Sequence, residues 1–246
     1  MIHFLTAPGI NNNSIVCSQH KGQAMVEFII IFPVLLLLTL GVFQLALIYD
    51  AKTSLNYATF HAARAGAVNK AQKTMIDLAF YRGLAPLFTS IDGNKSDVEE
   101  VQIARDKVRA IHENGFACIE RISPSNAAFS EYGMGSSGDI PNNNLMYRSA
   151  EVGSSLVSIQ DANLLKLRIT YCHRMIVPFF PTLLRRFVDA TDPDGITIQT
   201  AGTFQQNCYA NGRIPIVSQA IVRMQSDAQN DIFPSSVIHP GKSNCD

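Results

Sequence analysis

Five cysteines, and one carboxylate set against a long apolar run, are the side chains of this 246-residue chain whose type and spacing could do chemistry. Cys17 stands before the apolar run, and Cys118, Cys172, Cys208 and Cys245 stand after it. Four on one side is an even set suited to two disulfides, with the leftover thiol on the other side. That split places the C-terminal part in an oxidising compartment and Cys17 in a reducing one. Cys172 is followed by His173, yet no partner pair has ligand spacing, so structural cysteine is the better reading than a metal site. Thr191-Asp192-Pro193-Asp194-Gly195 resembles a calcium loop but lacks the remaining oxygens and the closing Glu; Asp-Pro and Asp-Gly make it a turn. The glycines of Gly133-Met134-Gly135 do not stand between a strand and a helix, as a phosphate cradle requires. The six His residues are scattered singly, and no Ser-His-Asp set has a recognisable elbow. No catalytic residue, metal or cofactor is expected.

The element ahead of these groups dominates the composition. Hydrophobic residues make up 47% of the chain and charged ones 16%. Soluble domains carry roughly 25% charged residues, so apolar ones must be concentrated somewhere here. They are concentrated from Phe28 to Ile48, 21 residues without a charge. At about 1.5 Å per residue this is about 31 Å of helix, matching a hydrocarbon core of about 30 Å. The run is apolar on all faces, whereas a globular helix shows a polar stripe. No second stretch of comparable length exists, so the chain crosses a membrane once. A cleaved secretory signal has an apolar region of only about 7–15 residues. Here the run is longer, begins at residue 28, and is followed by Tyr49-Asp50-Ala51-Lys52, a poor cleavage site. The span therefore stays in the mature protein.

Charge excludes one class of partner. With 20 Lys+Arg against 20 Asp+Glu and a pI near 7.0, the chain lacks the basic excess of a nucleic-acid binder. Flanking charges leave the orientation of the span open. The cysteine split places the N-terminus inside and residues after about 50 outside.

Immediately before the span stands Lys21-Gly22-Gln23-Ala24-Met25-Val26-Glu27-Phe28. A charge at membrane depth costs roughly 2.5–3.5 kcal/mol, so a carboxylate at Glu27 needs a reason. Interfacial placement near the positive end of the helix dipole explains Glu27. It does not explain Gly22 five residues earlier or the Lys21 beside it.

This segment resembles the class III signal peptide of type IV pilin-like proteins. In that family a membrane-embedded prepilin peptidase cuts after the Gly, and an acid stands fifth in the mature chain with an aromatic next. The resemblance implies a cut between Gly22 and Gln23, with Glu27 fifth and Phe28 sixth. A closer resemblance is to TadE-like pseudopilins of the bacterial tight-adherence (Flp pilus) apparatus. It rests on the GQA start, the Glu-Phe pair, Pro33 within the span, and the segment His61-Ala62-Ala63-Arg64-Ala65-Gly66-Ala67-Val68. Ile214 to Ser226 also resembles the last strand of such proteins. The resemblance implies a role in pilus assembly, with the prepilin peptidase, other pilins and pseudopilins, and the inner membrane as partners. It implies an N-terminus in the cytoplasm and a periplasmic C-terminal domain. No small-molecule substrate is expected.

The cut gives the acid its physical role. Cleavage creates an α-amino group on Gln23, with an ordinary pKa of about 7.7–8.0. Glu27 is four residues on, one helical turn away, and can pair with it or with the amine of a neighbouring subunit. Such a pair sets axial register between packed helices, as a buried polar group does in a coiled coil.

The expected fold class is α+β. A leader of residues 1–22 precedes a transmembrane and extended helix over 23–83, and a periplasmic head fills 84–246. Ile48, Ala51, Leu55, Ala58, Ala62 and Ala65 continue a heptad-like stripe past the span. Its small residues suit close packing either on the chain's own head or on another subunit. Pro33 should loosen the helix locally. The helical pattern ends near Arg82-Gly83. Ser96 and Glu99 form a capping box opening a second helix that stops at Asn114-Gly115. Three strands are expected, at Ala117–Ile122, Leu164–Cys172 and Ile214–Met224, with a weaker fourth at Gly195–Gln199. About forty residues rich in Ser, Gly and Asn separate the first two, a length that marks a functional or mobile loop. In the second strand Leu165, Leu167, Ile169 and Tyr171 share one face, and Lys166, Arg168, Thr170 and Cys172 share the other. If the first two strands pair antiparallel, Cys118 and Cys172 could meet. Four cysteines allow three connectivities, and sequence does not choose between them; Cys118–Cys172 with Cys208–Cys245 is taken as the working expectation.

Removing 22 residues of 246 leaves a mature chain of 224, large for a major filament subunit. A minor, initiating or tip component is the expectation. The competing readings are a signal-anchored periplasmic enzyme and a membrane-anchored adhesin. The Gly22/Glu27 pair separates them, since an uncleaved anchor needs neither residue.

Overall fold

The computed structural model describes residues 23–90, 95–177, 186 and 203–231. It divides into two units, one ending at Leu40 and one beginning at Gly41. The first long helix, α1 (Gln23–Val68), is continuous through both, with Pro33 inside it. In the first unit its apolar side chains, from Met25 to Leu38, are exposed all round, and the helix is long and apolar enough to be a candidate membrane span.

In the second unit the same helix becomes a core element. Ala51, Leu55, Ala58, Ala62, Ala63 and Ala67 are buried in the main apolar cluster of the head. The stripe thus packs on the chain's own head, which decides between the two partners its spacing allowed. Small residues let the sheet and a second helix approach the α1 backbone closely.

That second helix is α2 (Lys73–Leu84). The pattern read as one helix to residue 83 is broken by a turn at 69–72. Lys70 and Ala71 both take φ of 57°, and the Ala71 N–H donates to the Gly66 carbonyl at 2.8 Å. A short 3-10 turn, Ala85–Phe88, follows. Helix α3 (Asp97–Glu113) opens with the expected capping box: Ser96 Oγ accepts from the Glu99 N–H, and the Glu99 carboxylate accepts from the Ser96 N–H. Gly115, with φ of 76°, ends the turn beyond it.

Three antiparallel strands form a sheet in the order β1 (Ala117–Ser123), β2 (Leu164–Arg174), β3 (Arg213–Arg223). Helix, sheet and connection together make an α+β fold. Leu165, Leu167, Ile169 and Tyr171 are buried in the cluster shared with α1. Pro215 is tolerated because, among the described residues, β3 pairs on one side only. The weaker strand expected at Gly195–Gln199 and the turn at Thr191–Gly195 lie outside the described residues. The forty-residue connection from β1 to β2 carries two short helices, α4 (Asn126–Tyr132) and α5 (Ile159–Ala162). Ser125 and Ser158 cap them, and the buried Asn163 donates to the Ile159 and Pro141 carbonyls. After β3 the chain returns along the α1–α2 turn: the Gln225 and Gln229 N–H groups donate to the Ala67 and Lys70 carbonyls, and the Lys73 N–H to Asp231.

The α1–α2 contact generates a prediction. A Cβ at Gly83 would lie 2.6 Å from the Ala58 Cα, and backbone cannot yield. A Cβ at Gly66 would meet the Ile76 Cγ1 and Leu165 Cδ2 at 2.8 Å each, side-chain atoms rather than backbone. Overpacking costs about 1–3 kcal/mol, against about 1 kcal/mol of helix propensity gained by replacing Gly. Gly83→Ala is expected to destabilise the head in urea unfolding, and Gly66→Ala to change it less. Equal losses would contradict the packing described.

Candidate functional site

The processing motif meets the structure at its edge. Gly22 lies outside the described residues, Gln23 is the first residue of α1, and Glu27 and Phe28 follow on its second turn. Glu27 and Phe28 are exposed, and the Phe28 ring stacks on Phe32 at 5.3 Å between centroids. A helical backbone from Gln23 places the Glu27 carboxylate one turn from the residue whose amine a cut after Gly22 would free.

The cysteines collect on the opposite face of the sheet from α1. Cys118, Cys172 and Cys208 are buried together with Phe204, and Phe116 packs against them. Cys208 is supplied by helix α6 (Thr203–Ala210), which runs into β3 through Asn211 and Gly212, the latter with φ of 64°. Cys172 and Cys208 form a disulfide, with Cα atoms 5.4 Å apart. The expected Cys118–Cys172 bridge, and with it Cys208–Cys245, is therefore corrected. β1 and β2 are antiparallel neighbours, but their register sets Cys118 opposite Thr170, while Cys172 lies two residues further along β2 and its N–H donates to the Phe116 carbonyl. Helix α6 brings Cys208 to it instead. Cys118 is itself disulfide-bonded. Cys17 and Cys245 lie outside the described residues. A bridge closing a loop of this separation, 36 residues, is worth about 2–4 kcal/mol to the head.

Two polar arrangements, one on this face and one on α1, were missed in the sequence. Glu120 and Arg168 stand directly opposite each other and form an ion pair across β1 and β2. Gln44, an amide inside the apolar run, is wholly buried. Its Oε1 accepts the N–H groups of Ile176 and Val177, at 3.3 and 3.0 Å, just past the end of β2. Its Nε2 has no acceptor among the described residues. Gln44 stands four residues before Ile48 and seven before Ala51, in line with the buried stripe, and that spacing was the available signal.

Residues 22–64 match the TadE-like protein family. The TadE-like match begins at Gly22, takes in the candidate span, and ends within α1 at the buried small-residue stripe. It points to a tight-adherence pilus system. No curated protein and no solved structure matches the chain.

No group of three or more His, Cys, Asp or Glu among the described residues could hold a metal ion. The perturbed groups beside the TadE-like segment read as packing. Burial pushes the Tyr171 hydroxyl up to about 12. Burial holds the His173 imidazole below its ordinary 6.5; Arg213 adds to the effect and Asp50 opposes it. Neither His173 ring nitrogen has a hydrogen-bond partner among the described residues. A folded pKa below the unfolded one means that the unfolded chain takes the proton first as pH falls. The stability linked to His173 is therefore present above about pH 6.5 and lost as pH falls through the lower folded value. His173→Phe is expected to keep the fold and flatten the loss of stability on acidification, read by urea unfolding above and below that pH. Parallel losses in both proteins would remove His173 as the acid-sensitive group.

Proposed function

We propose that this chain is a pseudopilin or minor pilin acting in assembly of a Flp-type tight-adherence pilus or a related secretion machine. In this reading it crosses the bacterial inner membrane once, with the N-terminus cytoplasmic and the head periplasmic. A prepilin peptidase matures it between Gly22 and Gln23. Its role is structural rather than enzymatic, and its partners are the peptidase and the other pilins and pseudopilins of the apparatus. The observation that carries the reading is the family match, which starts at Gly22 and follows α1 out of the candidate span. The Cys172–Cys208 bridge supports an oxidising compartment for the head.

The chemistry of assembly rests on Glu27. When helices pack, the Gln23 ammonium needs a carboxylate within reach, and an unpaired charge in that setting costs about 3–5 kcal/mol. Glu27→Gln keeps the shape and removes the charge. Membrane insertion and cleavage are expected to survive, since the scissile bond lies upstream of Glu27. Piliation and co-purification with pilin partners are expected to fail. A processed Glu27→Gln protein that restores full piliation and keeps its partners would reduce Glu27 to an interfacial helix-end charge.

A further inference from the structure

The contact between Gln44 and the exit of β2 is placed where a water-exposed head has no need of it. If the uncharged run from Phe28 to Ile48 fills the hydrocarbon, Gln44 lies four residues, about 6 Å, inside its head-side edge. The chain leaving β2 descends to that level, since the Ile176 and Val177 amides bond Gln44 directly. Irregular backbone at such a depth must have its N–H groups satisfied by protein, because no water is there to do it. A side-chain amide in the same place must equally be covered. One oxygen, Gln44 Oε1, meets the first requirement for two successive N–H groups and is itself satisfied by them, while the buried Nε2 has no acceptor among the described residues.

The side chains around this contact face outward. Ile176 is 67% exposed, and the neighbouring helix positions Val42, Phe43 and Leu45 are between 59% and 67% exposed. In water such a set is a liability, but beside a span it continues the lipid-facing surface. Arg174, exposed, ends β2, and its register partner Arg213 begins β3. Arg213 lies over the Phe116 ring at 4.0 Å and donates to the Cys172 carbonyl. Two arginines at the strand ends, just above an exposed isoleucine, match the order of phosphate over acyl chain at a bilayer boundary. Asp50 is the one acid on the adjoining stretch of α1. Tyr49, 75% exposed, suits the same headgroup level.

We propose that the β2 exit, Arg174 to Ile176, is a membrane-contacting element of the head, tethered to α1 by Gln44 and seated on the lipid surface. Ile176 enters the acyl boundary and the two arginines meet headgroup phosphates. The inference rests on α1 being a membrane span, and the test separates the two. The chain contains no Trp, so single indoles report cleanly. Full-length protein carrying Ile176→Trp is reconstituted in phosphatidylethanolamine–phosphatidylglycerol vesicles with brominated acyl chains. Val34→Trp serves as the span control and Leu156→Trp, on an exposed loop, as the water control. The expected result is blue-shifted emission from the Ile176→Trp indole, quenched by bromine as for Val34→Trp and shielded from iodide. Adding Gln44→Leu is expected to reduce that quenching, as the freed amides turn to water. If the Ile176→Trp indole behaves like that of Leu156→Trp while Val34→Trp is quenched, the membrane contact is overturned and the span stands. If Val34→Trp is not quenched either, the span reading fails first. Undiminished quenching after Gln44→Leu overturns the tether.

Discussion

One helix, α1, passes from an apolar, exposed stretch to the centre of a packed core, and the rest of the structure depends on that passage. Over its first part it is apolar all round and exposed, as a lipid-facing helix must be. From Ala51 it presents small residues on one face, and the head is built against that face. Leu55 supplies the large side chain, while Ala58, Ala62, Ala63 and Ala67 keep the gap narrow. Each burial of apolar area contributes about 25 cal/mol per Å², and close approach raises the area removed from water.

The sheet answers the seam on one face and the disulfide cluster on the other. Leu165, Leu167, Ile169 and Tyr171 complete the core with α1, and Cys172, facing away, meets α6. β2 is central, paired along its whole length with β3, so a bridge at its end holds α6 to the sheet. The C-terminal segment after β3 returns to the α1–α2 turn and bonds its carbonyls. A break in the helix at Lys70 and Ala71 is thereby satisfied by chain from the other end of the sequence.

Much of this was legible in the sequence because it depends on local chemistry. The apolar run, the Ser96–Glu99 capping box and the three strands each announce themselves within a few residues. The stripe from Ile48 to Ala65 announced a packed face, but not which partner covers it. Lys70 and Ala71 gave no warning of their left-handed turn, since neither is Gly or Asn, and distant backbone from Gln225 to Gln229 stabilises it. The helices α4 and α5 are too short for periodicity to reveal, and only their Ser caps hint at them. The pairing of Cys172 with Cys208 depends on the β1–β2 register and on α6 folding back, both set by tertiary packing. Gln44 was hidden by its neighbours: an amide in an apolar run carries no charge to draw attention.

The account of α1 as a processed pilin-type helix is tested most directly by N-terminal sequencing and intact mass of the native membrane form. The mature chain is expected to begin at Gln23 and to lack the 22 residues before it. A chain that keeps Met1, or one cut beyond Ile48, would contradict it.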